Sequence, residues 1–412
     1  MVQVIYERCA GLDIHKKNVV VTMMITRSDG TVQELTRSFA TMTGDLLKLE
    51  DWLTSQQIEV IAMESTGVYW RPVFNLLEEG RQVILVNAQH MKAVPGRKTD
   101  VKDSQWLADL LRHGLLTASF IPPKPTRDLR DVMRYRKTLV QQRSTEINRV
   151  QKVLETANIK LSSVASDVLG KSGRAMLDAL VEGQSDQEAL AELARGRLRS
   201  KREDLRKALD GRVQSHHQVL LKHLLAHIDF LDEALLELEK EIEPYVTPFE
   251  EAMTLVQSVI GVGETAAASI IAEIGVDMTR FPSDKHLASW AGLCPGNKQS
   301  GGKRLSGKTT KGNSSLRATL YEVAWVIAHT KGNYLSTFYH RLVRRIGKKK
   351  AITALAHKVL VVIYHILYTK KPYSDLGADF FDHKDQERIQ RHHVQRLEQL
   401  GYTVTLLPKE AA

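Results

Sequence analysis

The chain has 412 residues, more than one hydrophobic core usually holds, so we expect two domains with a connecting element. Its 58 Lys and Arg residues outnumber its 48 Asp and Glu residues, and the net charge of +10 favours a polyanion as partner. The two cysteines, Cys9 and Cys294, exclude a disulfide framework and a cysteine-rich zinc site, and they predict a cytoplasmic protein.

The first hundred residues alternate between β-branched apolar segments and segments with helical periodicity. We predict strands at Val19–Ile25, Val32–Phe39, Glu59–Met63 and Gln82–Val86, and helices at Gly44–Ser55 and Val68–Glu79. A further strand before them ends near Asp13. Three early strands, followed by a helix, a strand, a helix and a strand, predict a ribonuclease-H-like α/β domain over residues 1–122.

The segment Ile121-Pro122-Pro123-Lys124-Pro125 predicts a domain edge, because prolines interrupt continuous helices. Helix formers dominate after it, and residues 123–248 are predicted to form a helical, coiled-coil linker region. Apolar residues there repeat with 3, 4 spacing along one seam: Leu221, Leu224, Ile228, Leu231, Leu235, Leu238, Ile242 and Tyr245. The seam fits packing against a predicted helix at Thr126–Thr156 and equally fits a coiled coil between two copies.

Residues 249–373 are predicted to form an all-α C-terminal domain with a helix-hairpin-helix. Two apolar helical stretches flank Gly261 and Gly263, where backbone N–H groups at a helix N-terminus can hold a DNA phosphate; an ordinary tight turn explains the same glycines. The apolar run Ala351–Tyr368 is interrupted by two histidines and a lysine, so we expect a buried helix there and no membrane partner. Residues 374–412 are predicted to be a polar C-terminal tail.

Four carboxylates occupy positions typical of a ligand site. Asp13 and Glu64 each end an apolar strand, and Asp100 and Asp103 share one face at the start of a helical stretch. Clustered carboxylates are stable mainly around a cation, and oxygen ligands favour Mg²⁺, with Mn²⁺ as the alternative. Taken singly, Asp100 is explained as a helix N-cap, Asp103 as a first-turn acid and Asp13 as a turn residue.

A second candidate site lies in a basic loop. From Lys298 to Arg317 the sequence has six basic residues and no acid: Lys298, Lys303, Arg304, Lys308, Lys311 and Arg317. Ser300 precedes two glycines there, and a serine hydroxyl is a covalent nucleophile when a base or a metal activates it; a solvated loop serine is the ordinary alternative. A later run with Arg344, Arg345 and Lys348 fits a phosphate-contacting face or a solvated helix end equally well.

The chain resembles the DEDD insertion-sequence transposases, relatives of the pilin-gene invertases and a family of bridge-RNA-guided recombinases. The resemblance spans Cys9 to Tyr373 and rests on Gly-Leu-Asp13-Ile-His-Lys, Met-Glu64-Ser-Thr-Gly-Val-Tyr-Trp, Lys-Thr-Asp100-Val-Lys-Asp103, and Ala-Gly292-Leu-Cys-Pro with Ser300-Gly-Gly and Lys-Gly-Asn-Ser-Ser-Leu-Arg317. One departure is Ser104, where we expect an alanine in many relatives. Among the nearby serines, Ser300 alone precedes two glycines and is matched to the family's Ser-Gly pair downstream of Gly-Leu-Cys-Pro.

The resemblance implies a Holliday-junction-resolvase-like domain whose Asp13, Glu64, Asp100 and Asp103 bind Mg²⁺. It also implies that Ser300 attacks the DNA backbone and forms a phosphoserine link. Donor and target DNA, a noncoding guide RNA and assembly as a homodimer or homotetramer are the expected partners, and the prokaryotic nucleoid is the expected location.

Three hypotheses follow for the function. The first is a metal- and serine-dependent recombinase that cuts, exchanges and rejoins DNA. The second is a metal-dependent Holliday-junction nuclease that uses only the four carboxylates, and the third is a non-catalytic DNA-binding architectural protein. The carboxylates argue against the third, and the loop around Ser300 distinguishes the first from the second.

Overall fold

The structure, a computed structural model, describes residues 3–65, 67–86, 100–296, 298–384 and 386–406. For residues 100–102, 298–300, 304–305, 382, 384 and 386–389 it describes the backbone alone. The chain divides into two compact units, Met1–Ile121 and Pro122–Ala412, and each is described by itself.

The N-terminal unit is built on a five-stranded mixed sheet. Its strands are β1 Arg8–Ile14, β2 Asn18–Thr26, β3 Val32–Ala40, β4 Val60–Glu64 and β5 Gln82–Val86. They lie in the order β3-β2-β1-β4-β5; β1 to β3 are antiparallel neighbours, whereas β1, β4 and β5 run parallel. The predicted α/β character of this unit is confirmed.

Helices cover both faces of the sheet, because β1 buries its alternate side chains in opposite directions. On one face Leu12 and Ile14 join a core with α1 (Thr43–Ser55) and α2 (Trp70–Leu77). On the other face Cys9 joins a smaller core with α3 (Asp100–Arg112). Sheet and helices therefore form three layers.

Helix α3 packs directly on the backbone of β1 at Gly11. A Cβ atom built there would lie 2.2 Å from the carbonyl oxygen of Ser104 and 2.4 Å from the backbone nitrogen of Ala108. Ser104 is fully buried, and its hydroxyl lies 2.8 Å from that of Thr22 on β2. The hydroxyl that distinguishes Ser104 from alanine thus fastens α3 to the sheet, and the missing side chain at Gly11 fixes how closely α3 approaches.

We expect Gly11→Ala to destabilise the N-terminal unit by about 1–3 kcal/mol, because a methyl group added to a close-packed contact forces the backbone to shift. Thermal unfolding followed by circular dichroism measures this effect. Gly44→Ala is the matched control: Gly44 lies in α1 with nothing within 4 Å of its Cβ position, so this change should stabilise the unit by about 0.4–1 kcal/mol. An unchanged melting temperature for Gly11→Ala would contradict the tight contact.

The second unit begins with helices, whose bounds are α4 Lys124–Thr156, α5 Leu161–Val164, α6 Lys171–Val181, α7 Gln187–Glu192, α8 Arg202–Ala208 and α9 Ser215–Val246. The long helices α4 and α9 pack side by side. Arg136 pairs with Glu239 at 2.5 Å, and Glu146 lies 3.5 Å from His227, so the two helices run antiparallel.

The apolar seam of α9 faces this pairing. Its residues Leu221, Ile228, Leu231 and Ile242 are buried, whereas Tyr245 is exposed. Of the two explanations for the heptad pattern, packing within one chain against α4 is the one observed. Pro244 lies inside the last turn of α9, which ends at Val246.

Residues 157–214, which we call the cap, join the far ends of α4 and α9. The core of the cap contains Leu161, Met176, Leu190 and Leu205 and continues into the buried residues at the end of α4 and the start of α9. A backbone hydrogen bond also joins the two ends of the cap, since the Arg212 N–H donates to the Ala157 carbonyl at 2.7 Å. The core that the cap shares with α4 and α9 therefore attaches it to the helical hairpin.

The rest of the second unit is mostly helical. Its helices are α10 Glu250–Gln257, α11 Glu264–Ile274, α12 Asp284–Trp290, α13 Ser314–His329, α14 Tyr334–Ile346, α15 Lys348–Thr369, α16 Phe380–Lys384 and α17 Gln386–Gln399. The prediction of an all-α domain is wrong in one respect, because β6 (Lys298–Ser300) and β7 (Lys303–Ser306) form an antiparallel hairpin.

One helix of the described chain, α15, has the length and apolar composition to cross a membrane. Half of its most apolar stretch is buried within the unit, where it packs against α12, α13 and α14. Leu355, Val359 and Ile363 are fully buried in that contact. This burial agrees with the predicted core helix.

Candidate functional site

The sheet register places two predicted acids side by side. In the parallel pairing of β1 with β4, Leu12 is opposite Met63, so Asp13 and Glu64 occupy the next position on each strand. Asp13 is two residues after Gly11 on β1, and Glu64 is two residues after Ala62, the partner of Gly11 on β4. Because side chains alternate along a strand, both acids belong to the sheet face that α3 covers. Asp13 is 6% exposed and Glu64 is half-buried.

The start of α3 lies toward the same end of the sheet. Cys9 contacts the Ala108 carbonyl, whereas Gly11 contacts Ser104, so α3 runs antiparallel to β1. One further turn toward the N-terminus of α3 brings the chain to Asp103 and Asp100. Asp103 is half-buried; the side chain of Asp100 lies outside the described residues.

His15 is a neighbour of this site that the sequence patterns did not single out. Its Nε2 atom lies 3.0 Å from the Oδ2 atom of Asp13, across the turn that ends β1. Among the described residues, no three or more His, Cys, Asp or Glu side chains are grouped to hold a metal ion. The described side chains of Asp13, Glu64 and Asp103 are therefore not drawn together into a metal-binding group, and the side chain of Asp100 lies outside the described residues.

The Cys9 thiol lies under α3 on the same face and is not available as a thiolate. Burial raises the pKa of Cys9 to about 12, and the thiol sulfur lies 3.6 Å from the carbonyl oxygen of Ala108. A neutral thiol at physiological pH is a poor metal ligand, and Cys9 lies near the start of β1, whereas Asp13 lies near its end with Glu64 and His15 as neighbours.

The second predicted site is the β6–β7 hairpin. Gly301 and Gly302 have φ values of +53° and +75° between Ser300 and Lys303, which pair across the turn. A two-residue turn with both φ values positive is of type I′, for which Gly-Gly is well suited. Ser300 is thus the last strand residue before a tight turn; its side chain lies outside the described residues.

The two ends of the hairpin are joined by a close backbone crossing. A Cβ atom at Gly292 would lie 2.8 Å from Gly312, and a Cβ atom at Gly312 would lie 2.4 Å from the Ala291 carbonyl oxygen. Nearby, the Gly296 N–H donates to the Lys308 carbonyl at 3.1 Å. We call this crossing and the start of α13 the hairpin frame. Only glycine leaves room for this crossing, which explains why Gly292 and Gly312 occupy these positions in the two motifs.

A buried carboxylate holds the frame to two other helices. Glu273, at the end of α11, is 2% exposed and accepts hydrogen bonds from Arg134 on α4 at 2.7 and 2.8 Å and from Asn313 at 2.7 Å. Arg130 lies 3.4 Å from the same carboxylate. Asn313 also caps α13, since its Oδ1 accepts from the Leu316 N–H. Sequence patterns missed this network because its members are far apart in the chain.

The charges around Glu273 determine its ionisation. Burial by itself raises the pKa of Glu273, but the hydrogen bonds and positive charges of Arg134 and Arg130, with the Asn313 amide, bring the pKa below its ordinary value. The carboxylate therefore stays ionised, and the positive charges of Arg134 and Arg130 balance its negative charge.

The basic residues of the loop have different surroundings. Lys303, Lys308 and Lys311 are exposed, whereas the side chains of Lys298 and Arg304 lie outside the described residues. Arg317 donates to the carbonyls of Thr310 and Lys311, each at 3.1 Å, and so closes the frame onto α13. Its predicted contact with nucleic acid stays a prediction.

The remaining predicted contact residues lie at helix ends. Gly261 (φ +82°) is in the turn between α10 and α11, and Gly263 directly precedes α11. Arg344 and Arg345 end α14 and Lys348 starts α15, all three exposed on either side of the Gly347 turn.

We expect Glu273→Gln to lower the free energy of unfolding by about 1.5–3 kcal/mol at neutral pH, because it removes the charged hydrogen-bond partner of Arg134 and Arg130 at a buried position. The folded-state pKa of Glu273 is lowered, so its stabilisation is present above the unfolded pKa of about 4.5 and is lost as pH falls. Denaturant unfolding of both proteins between neutral and acidic pH should show the difference shrinking.

Glu203→Gln is the control for this change. Glu203 makes an exposed ion pair with Arg206 in the same unit, so its removal should cost less than about 1 kcal/mol. Equal stability of the Glu273→Gln variant and the wild type would refute the structural importance of the buried network.

Comparison with known proteins identifies the class of molecule that carries these two sites. The DEDD transposase family model of IS110 matches residues 10–159, which include all four acids. The transposase family model of IS116, IS110 and IS902 matches residues 253–340, which include the hairpin and its frame. The chain is therefore a transposase of the DEDD type. It belongs to the IS110 family.

Curated relatives agree with this membership. The pilin gene-inverting protein of Moraxella bovis is 29% identical over 123 residues, 29% of this chain and 38% of that protein, so the chain spans well under half of it. A Sinorhizobium fredii protein, y4qE, whose name assigns it provisionally to the transposases, is 25% identical over 84% of this chain and 74% of its own length. The chain is thus related to both transposases and DNA-inverting proteins.

Proposed function

We propose that this transposase cleaves and rejoins the DNA of an insertion sequence with two sets of residues, the acids of the first unit and the serine hairpin of the second. Family membership supports DNA recombination. The observation that carries the assignment is the β1–β4 register, which sets Asp13 beside Glu64 at one end of the sheet where α3 begins.

In this proposal the N-terminal unit has a ribonuclease-H-like fold, similar to that of Holliday-junction resolvases. The order β3-β2-β1-β4-β5, with three antiparallel strands followed by two parallel ones, supports it. Asp13 ends the central strand, which places it at the middle of the edge where α3 starts. The turn between α10 and α11 is proposed as one hairpin of a helix-hairpin-helix that contacts the phosphate backbone.

Asp13, Glu64, Asp100 and Asp103 are proposed to hold Mg²⁺, with Mn²⁺ as a substitute. Asp13, Glu64 and Asp103 offer carboxylate oxygens, the ligands that Mg²⁺ prefers, which supports the choice of metal. When bound, the metal supplies Lewis-acid stabilisation of the oxygens that attack and leave phosphorus. His15 orients the Asp13 carboxylate through their 3.0 Å contact.

Ser300 is the proposed nucleophile. Its oxygen attacks a phosphodiester phosphorus, a serine–phosphate ester forms, and the leaving deoxyribose oxygen takes up a proton to become a free hydroxyl. The ester retains the energy of the broken bond until a new DNA hydroxyl attacks it and releases Ser300, whereas hydrolysis would lose that energy. Exposed Lys303, Lys308 and Lys311 lie close in the chain to stabilise the phosphoryl charge.

The proposed partners are donor DNA, target DNA and a noncoding guide RNA, bound by a homodimer or homotetramer. The net charge of +10 and the exposed basic residues of the second unit support polyanion binding. Arg344, Arg345 and Lys348 form a second exposed group of positive charges for backbone contacts.

We expect Asp13→Asn and Glu64→Gln each to reduce DNA cleavage by at least about 100-fold while DNA binding is kept, because the change removes charge needed only for chemistry. Asp51→Asn is the matched control, since Asp51 is an exposed carboxylate of α1 in the same unit. Cleavage of labelled element-end DNA measures the effect. Near-normal cleavage by the Asp13→Asn variant would exclude the metal role of this acid.

Ser300 should become covalently bonded to DNA. A nicked substrate that traps the intermediate should give a protein–DNA adduct on denaturing gels with wild type and none with Ser300→Ala, whereas Ser306→Ala keeps the adduct. An adduct with Ser300→Ala but not with Ser306→Ala would move the nucleophile to Ser306. Cleaved DNA without any adduct would instead support the metal-dependent junction nuclease.

A further inference from the structure

The cap, residues 157–214, lies almost entirely between the two segments that match the transposase families, residues 10–159 and 253–340. It nevertheless has its own buried core, which continues into both long helices. The cap thus lies at the tip of the α4–α9 hairpin.

One turn of the cap is strongly basic and firmly anchored. The 3-10 turn Gly196–Lys201 starts at Gly196, whose φ is +55°. Directly before it, the Arg195 N–H donates to the hydroxyl of Ser172 at 2.8 Å, and Ser172 is 6% exposed. A buried hydrogen bond thus holds the entry to the turn in place.

The charges of this turn differ from those around it. Several other arginines of the hairpin and cap have carboxylate partners: Arg174 pairs with Asp178 at 2.9 Å and Arg202 with Glu192 at 2.8 Å. Three basic residues of the turn and the arginine directly before it have no carboxylate within ion-pairing distance among the described residues, and all are exposed: Arg197, Arg199 and Lys201 of the turn, and Arg195.

A cleft beside the turn extends the positive surface. It has a volume of about 360 Å³ and is lined by Lys160, Lys201 and Lys207, with Ser163 and a single acid, Asp204. Three ammonium groups against one carboxylate leave the cleft positive, although Lys160 also pairs with Glu155. A ligand with several spaced negative charges would fit the turn and cleft together.

We propose that this basic turn, with the cleft beside it, binds the phosphate backbone of duplex nucleic acid. The inference rests on the proposed function, since it assumes a nucleic-acid substrate. No Phe, Trp or Tyr occurs from Arg136 to Asp229, so the cap has no aromatic surface on which unpaired bases stack. Exposed Arg and Lys without aromatic partners favour sequence-independent contact with backbone phosphates.

The distance along α4 is suited to a duplex. Lys137 of α4 donates to the Ser315 carbonyl at 3.1 Å, so that point of α4 touches the hairpin frame. From Lys137 to the end of α4 at Thr156 there are 19 residues, about 29 Å of helix. That is close to one turn of duplex, about 34–36 Å, so a duplex engaged near the frame reaches the cap about one turn away.

The test compares two triple variants of the full chain. The first is Arg197→Gln, Arg199→Gln, Lys201→Gln, and the matched control is Lys152→Gln, Lys222→Gln, Lys240→Gln, which removes the same charge from exposed sites on α4 and α9. Affinity for a labelled duplex of about four helical turns is measured by fluorescence anisotropy from about 50 to 200 mM salt. Equal melting temperatures establish that both variants fold.

The turn variant should bind the duplex at least about tenfold more weakly at low salt, and its slope of log affinity against log salt should fall by about 2 to 3. The control should change affinity less than about twofold. Equal losses in both variants would overturn the cap assignment and leave the proposed function intact, whereas a wild type that binds no nucleic acid would overturn both.

Parallel arms with duplex DNA, duplex RNA and single-stranded DNA identify the source of the backbone. Loss confined to duplex DNA assigns the cap to donor or target DNA, and loss confined to duplex RNA assigns it to a structured guide. A loss confined to single-stranded DNA would overturn the duplex assignment.

Discussion

Close contact between a helix and a strand backbone organises the first unit. Because Gly11 has no side chain, α3 lies directly on β1, and the buried Ser104–Thr22 contact prevents it from sliding. The same strand pairs with β4 in a register that sets Asp13 beside Glu64. A looser contact would let the start of α3, with Asp100 and Asp103, move independently of the strand ends. The backbone packing at one glycine thus controls the spacing of side chains on three elements.

In the second unit, a buried charged network holds the helices in position. A buried carboxylate is costly unless its hydrogen-bonding capacity is filled, and Glu273 is filled by Arg134, Arg130 and Asn313. Removing any partner leaves the others uncompensated, so the network has one arrangement. It connects α4, α11 and the start of α13, which leads out of the serine hairpin. Under the proposed function, this network fixes the position of the hairpin that carries Ser300.

Local patterns predicted the strands well, because β-branched runs and their alternation depend on neighbours in the sequence. They could not choose a partner for the α9 seam, since a heptad pattern is the same for packing on α4 as for a second copy. The β6–β7 hairpin was not predicted although Gly301-Gly302 is a type I′ signal, because its strands are only three and four residues long and lack an alternating apolar pattern. In the sequence Glu273 looks like an ordinary helical acid, because its partners Arg134 and Asn313 are 139 and 40 residues away along the chain.

The chemistry of the hairpin also explains why two units are needed under the proposed function. From Lys298 to Arg317 there is no acid and no histidine, so the segment offers no carboxylate or imidazole to accept a serine proton. The acid that touches its frame, Glu273, has a lowered pKa and a carboxylate already filled by donors, which makes it a poor base. Activation of Ser300 must then come from outside the hairpin and its frame. The acids around Asp13 are the groups suited to it, whether they act from the same chain or from another copy. On this view the hairpin supplies the nucleophile and the positive charge, the sheet edge supplies the acids, and neither unit alone completes a strand exchange.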